Sequence, residues 1–166
     1  SFAAPGDAVL LHATPTSALP PVVENNGYKI VHSHWSRMKT VCGGWTLRML
    51  DAKIKANHIH VAIFCSPHNP CGRVWERWEL EKAMEVYRAN DCLVISDEIW
   101  SDIILNGHKH IPTQSVSEDA RNRTVACMPP AKPLTWRAWW VVTILFITPT
   151  CGTACVPKAA SRTIMI

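Results

Sequence analysis

The chain has 166 residues, 48% of them apolar and 18% charged, with a formal net charge of +4. That length suits one domain-sized core, and the mild charge, without a Lys/Arg block, argues against nucleic acid as a partner. Seven irregularly spaced cysteines, and a stretch Ser1–Pro5 without the basic and apolar parts of a secretory signal, read as reduced thiols in the cytoplasm.

In chain order, Pro5-Gly6-Asp7 is a turn signal before a short buried strand, Ala8–Leu11. Glu24-Asn25-Asn26-Gly27 is a helix end or turn with a glycine placed as a C-cap, and Tyr28–Val31 a second short strand. His34–Leu50 shows neither helical nor alternating periodicity. Asp51–Asn57 reads as a helix end and His58–Cys65 as a buried strand. A loop follows, closed by Gly72. In Glu76–Ala89 the residues Leu80, Ala83, Met84 and Tyr87 recur at helical spacing, with Glu79, Lys82, Glu85 and Arg88 on the wet face. Cys92–Ser96 is a continuous apolar strand, as in a parallel sheet covered on both faces. Asn106-Gly107-His108 is a turn, Ser115–Arg123 a polar surface stretch, and Thr124–Cys127 a short strand. Ala138–Thr148 is strongly apolar but too short to cross a membrane as a helix. It reads as a strand that is buried by accident, and no membrane role is expected.

Charge is uneven along the chain. No Asp or Glu occurs between His34 and Leu50 or after Asp119, and five of the eight tryptophans (Trp35, Trp45, Trp136, Trp139 and Trp140) fall in these two zones. Soluble domains intersperse both signs of charge, which marks 34–50 and 128–166 as aberrant.

The stretch from Ile63 to Trp100 is a strand–helix–strand unit with polar residues at both strand ends, where open α/β sheets bind ligands. Its two blocks are Ser66-Pro67-His68-Asn69-Pro70-Cys71-Gly72-Arg73-Val74-Trp75 and Val94-Ile95-Ser96-Asp97-Glu98-Ile99-Trp100. Together they resemble fold-type I enzymes that depend on pyridoxal 5'-phosphate (PLP), in the cystathionine β-lyase branch of carbon–sulfur lyases, a neighbour of the class I/II aminotransferases. The resemblance is clear over Pro5–His12, Val23–Ser33 and Asp51–Cys127. It implies an α/β fold: residues 1–127 as a partial PLP-dependent transferase-like large domain, a mostly parallel sheet flanked by helices. The implied reaction is β-elimination from a cysteine conjugate, a small amino-acid substrate, giving a thiol, pyruvate and ammonia. An aminotransferase is the competing enzyme reading, and a homodimer is expected of an intact family member.

PLP chemistry needs a lysine to hold the cofactor, an acid to keep its ring nitrogen protonated, and a phosphate cradle. By resemblance, Asp97 matches the acid; as a bare residue it is equally a loop acid or a helix cap. Asn69 matches the asparagine that bonds the cofactor's phenolic oxygen, or serves turn chemistry before Pro70. Trp100 stands where relatives carry Tyr or His near that oxygen, or is a packed aromatic. Lys132 falls where the Schiff-base lysine belongs, or is an incidental surface lysine. Glu98 reads as structural. Thr14–Pro20 lacks the aromatic that the family stacks on the ring. The resemblance places the phosphate-binding turn before Ser1 and the substrate-carboxylate arginine in a C-terminal domain, so the chain matches the middle of a subunit.

Codons compatible with His34–Arg48, read in a neighbouring frame, spell P-L-V-K-N-E-N-G-V-W-R-M-D-F-E, which the family carries here. The same exercise on Met128–Cys155 recovers the family's P-S-K-T-F-N block and its glycine-rich run. The expectation is two out-of-frame stretches, the first entered near His34 and left near Asp51, the second entered near Met128 without return, and hence an alternative in which the chain is an inactive fragment. A third class, a metal-binding or interaction protein, rests only on His58-x-His60 along a strand and His108-x-His110 in a loop. No metal site is expected, because no C-x-x-C or H-E-x-x-H spacing exists.

Overall fold

A computed structural model describes residues 2–12, 19–33, 43–69, 72–128, 141–146 and 162–165. Its centre is a seven-stranded sheet in the order β2-β1-β3-β4-β5-β6-β7. The strands are β1 (Ala8–Leu11), β2 (Lys29–His32), β3 (Val61–Cys65), β4 (Leu93–Asp97), β5 (Thr124–Met128), β6 (Val141–Phe146) and β7 (Arg162–Met165). The first five pair in parallel. β6 and β7 add antiparallel strands on the β5 edge. The helices are α1 (Leu19–Asn25), α2 (Gly43–Ala56), α3 (Arg77–Ala89) and α4 (Glu118–Arg123). The mostly parallel α/β architecture expected from the sequence is therefore present, and the apolar stretch within Ala138–Thr148 forms strand β6. Among the described residues no helix is long and apolar enough to cross a membrane.

Period-two alternation sends the strand side chains to two faces. Leu10, Ala62, Phe64 and Val94 join Leu50 and Ile54 of α2 and Leu80, Ala83, Met84 and Tyr87 of α3 in the larger core. Val9 and Val61 meet Val23 of α1 in a smaller cluster on the other face. Strand order reverses between β1 and β3, so the crevice at the C-terminal ends of these two strands is the topological switch point.

Four sequence readings change. Residues 34–50 do not read as regular, yet α2 begins at Gly43. Leu47 and Leu50 join Ile54 on the core face, a helical spacing visible only when both sides of Asp51 are read together. The strand expected from His58 starts at Val61, because His58 has a left-handed φ of 49° and ends α2 in a turn. His58 and His60 therefore do not alternate along one strand. Helix α4 occupies part of the stretch read as merely polar; the Ser117 hydroxyl caps it by accepting from the Ala120 N–H at 3.0 Å. Glu79, assigned to the wet face of α3, is buried.

Candidate functional site

Three of the four candidate residues, Asn69, Asp97 and Trp100, lie at or just past the C-terminal ends of β3 and β4. Parallel pairing sets Cys65 beside Asp97 and Asp97 beside Cys127, so two thiols flank one carboxylate on one face of the sheet. Cys65 Sγ lies 3.9 Å from Asp97 Oδ2, and the Ile99 N–H donates to Oδ1 at 3.3 Å. Burial pushes the Asp97 carboxyl above its ordinary range, the neighbouring Glu98 charge adds to this, and the Ile99 N–H partly opposes it. Among the described residues no cation pairs with Asp97. The thiol of Cys127 is pushed up to about 12, by burial first and then by the charges of Asp97 and Glu98.

Asn69 stands exposed on the turn that leaves β3. Its N–H points to Cys65 Sγ at 3.4 Å, and the same sulfur donates to the Pro67 carbonyl at 3.2 Å. The turn closes where the His68 N–H donates to the Arg73 carbonyl at 2.7 Å and the Gly72 N–H to the His68 carbonyl at 2.8 Å. Gly72 has φ of 63°, a left-handed conformation that favours glycine. Trp100 is 37% exposed. With Asn69, Arg73, Ile103 and Leu105 it lines a cleft of about 560 Å³, while the Asp97 carboxylate is not part of that lining. The structure thus joins Asn69 and Trp100 in one cleft and places Asp97 one strand end away, linked to Asn69 through Cys65. Lys132, the remaining candidate, lies outside the described residues.

Glu98 is fully buried. Its carboxylate accepts from the Ser96 hydroxyl (2.8 Å), the Thr113 N–H (2.9 Å) and His110 Nε2 (2.8 Å). It ties the loop that carries Trp100 back to the sheet, the structural role read for it from the sequence. A group that sequence reasoning missed lies at the switch point. His12, at the end of β1, is fully buried and bonds Tyr87 of α3 through Nε2. His68 Nε2 donates to the His12 carbonyl at 2.7 Å. The only sequence signal for this pairing is that both histidines follow apolar strands. Among the described residues no three His, Cys, Asp or Glu side chains gather as metal ligands.

Residues 1–129 match the family model described as aminotransferase class I and II. The chain is 36% identical over 134 residues to cystathionine beta-lyase PatB of Bacillus subtilis, covering 80% of this chain and 34% of that protein. It is 30% identical over 118 residues to kynurenine–oxoglutarate transaminase 3 of Rattus norvegicus, covering 68% of this chain and 26% of that protein. Among solved structures, cystalysin from Treponema denticola, which contains pyridoxal 5'-phosphate, superposes with a TM-score of 0.74 at 31% identity, covering 90% of this chain and 38% of that one. The chain thus spans about a third of the length of these relatives.

Proposed function

We propose that this chain, which belongs to the class I and II aminotransferase family, carries the ring-binding side of a pyridoxal-phosphate-dependent carbon–sulfur β-lyase. The observation that carries this reading is Asp97. A half-buried carboxylate at the end of a central parallel strand, with its proton affinity raised and no cation beside it among the described residues, suits a protonated ring nitrogen. Such a partner brings the missing positive charge and returns the carboxyl toward its ionised form. The donor set therefore fits the cofactor.

Pyridoxal phosphate, when bound, supplies an electron-poor ring that stabilises the electron pair left when an amino acid loses its α-proton. Asp97 holds the proton on the ring nitrogen. The Asn69 side-chain amide, exposed on its turn, would donate to the phenolic oxygen. Trp100 walls the cleft beside Asn69, and its indole can donate but not accept. Lys132 stands where the family's cofactor-holding lysine belongs by sequence position, inside the stretch 128–166, and in an intact family member that lysine would hold the cofactor and move the substrate α-proton. The substrate class is a cysteine conjugate, whose β-carbon–sulfur bond breaks to release a thiol and whose remaining three-carbon enamine takes up one water to give pyruvate and ammonia. The similarity to the Bacillus β-lyase favours this reaction. Similarity to a transaminase favours a second reading, amino transfer to a 2-oxo acid. Two subunits sharing an active site is the matching assembly.

We further propose that 34–50 and 128–166 derive from neighbouring reading frames, so that the chain as written binds the ring side but does not turn over. Incubation with pyridoxal phosphate and cystathionine tests both statements. A saturable visible absorption change without pyruvate release is expected. No absorption change would overturn the ring-binding reading. Pyruvate release would overturn the inactivity, and 2-oxo-acid-dependent transfer would favour the transaminase reading.

A further inference from the structure

We infer that Trp75 is a positioning residue that holds Asn69 and Asp97 in mutual register; this rests on the ring-binding reading above. Trp75 is buried, and its Nε1–H donates to the Cys65 carbonyl at 2.9 Å. Cys65 is the last residue of β3, paired in register with Asp97, and the next residue, Ser66, donates its N–H to the Asp97 carbonyl at 2.9 Å. The indole therefore grips the chain where it leaves the sheet beside Asp97 and enters the Asn69 turn.

The far side of the turn is fixed to the same ring. The Arg73 guanidinium lies 4.8 Å from the Trp75 ring centroid, and its Nη2 donates to buried Glu79 at 2.5 Å. The other oxygen of Glu79 accepts the Glu76 N–H at 3.0 Å, at the start of α3. The His68 ring meets Trp75 edge-on at 6.0 Å and 89°. Both arms of the turn, His68 before Asn69 and Arg73 after it, thus rest on one indole, which is itself bonded to the strand end paired with Asp97. Asn69 is exposed, and among the described residues its backbone N–H reaches Cys65 Sγ at 3.4 Å, on the same strand end that Trp75 holds, so its placement leans on this support. A side chain that must meet a ring within about 0.5 Å requires such a locked neighbour.

The test is Trp75→Phe, which keeps an aromatic body and removes the N–H. Backbone 15N relaxation on the chain alone reads the order of Asn69. In the parent chain Asn69 is expected to be as ordered as β3, and in Trp75→Phe its order parameter is expected to fall below about 0.6 while β1 and β5 keep theirs. Titration with pyridoxal phosphate is expected to weaken about three- to tenfold, the range of one net hydrogen bond. The pH midpoint of the bound cofactor's absorption should shift in the direction that Asn69→Ala shifts it. Unchanged Asn69 order in a folded Trp75→Phe chain overturns the inference. If Trp75→Phe does not fold, Arg73→Met, which releases the other arm, must loosen Asn69 on its own, and unchanged order there overturns the inference. If Asn69 loosens but neither Asn69→Ala nor Asp97→Asn alters cofactor binding, the ring-binding reading fails and Trp75 remains only a brace of the turn.

Discussion

Acidification from pH 7 to pH 5 should weaken the fold through His12. The imidazole is fully buried beneath Phe64 and bonded to Tyr87. Burial first, then the positive charges of His68 and Lys53, push it from 6.5 down to about 3. A histidine held neutral in the folded chain contributes stability that is present above its unfolded value and is lost as pH falls between about 6.5 and about 3. At pH 5 the unfolded chain carries this proton almost fully and the folded chain hardly at all. The loss between pH 7 and pH 5 is about 2 kcal/mol from this one group. Urea unfolding at the two pH values measures it. Other groups also titrate, so the control is His12→Gln, which keeps a side chain able to bond Tyr87 but does not titrate. The parent chain should lose about 2 kcal/mol more than the variant. Equal losses would refute the reasoning. If the variant does not fold, the His12 ring proton resonance in the parent decides: titration above pH 5 refutes it.

Three further outcomes are expected, two from the geometry of the β4 end and one from the codon reading. Asp97→Asn should raise the urea midpoint at pH 7, because it removes a half-buried carboxylate whose proton affinity desolvation has raised. Such a group favours the fold only while protonated, so the variant's advantage should vanish as pH drops through the carboxylate range; an advantage that persists in acid counts against this. Glu98→Ala should cost about 3 kcal/mol or more, because the Thr113 N–H and the His110 ring lose a buried acceptor; a thermal unfolding shift near zero would contradict the anchoring role. Sequencing the source DNA across the codons for Ser33–Asp51 and beyond Met128 should reveal single-base slips near His34, Asp51 and Met128, and an uninterrupted match to the protein sequence as its original frame would refute the neighbouring-frame proposal.

The sequence carries the strand–helix–strand unit openly because each piece has one dominant signal. β4 is a continuous apolar run, α3 shows helical spacing, and Gly72 marks the turn. Asp97 and Asn69 stand out as polar residues at or after strand ends, but their assignment as candidates comes from the resemblance of the two motifs to the family, since strand position alone fits turn or cap chemistry equally well. What supports them is not legible. Glu79 falls by helical angle on the solvent side, yet it lies in the first turn of α3, where Arg73 and the Glu76 N–H claim it. The E-x-x-E spacing at Glu76 and Glu79 is the signal of this capping box. His12 and Tyr87 are 75 residues apart, and no local pattern joins them. The start of α2 is obscured because its periodicity crosses the boundary of the acid-free stretch.

The central claim is that Asp97 keeps the cofactor's ring nitrogen protonated, and the most direct measurement is the 15N chemical shift of that nitrogen. Pyridoxal phosphate labelled at the ring nitrogen would be bound to the parent chain and to Asp97→Asn at the same pH, above the nitrogen's pKa in free cofactor. A protonated nitrogen in the parent chain and an unprotonated one in the variant is the result expected. The same shift in both would place the ring away from Asp97 and contradict the account.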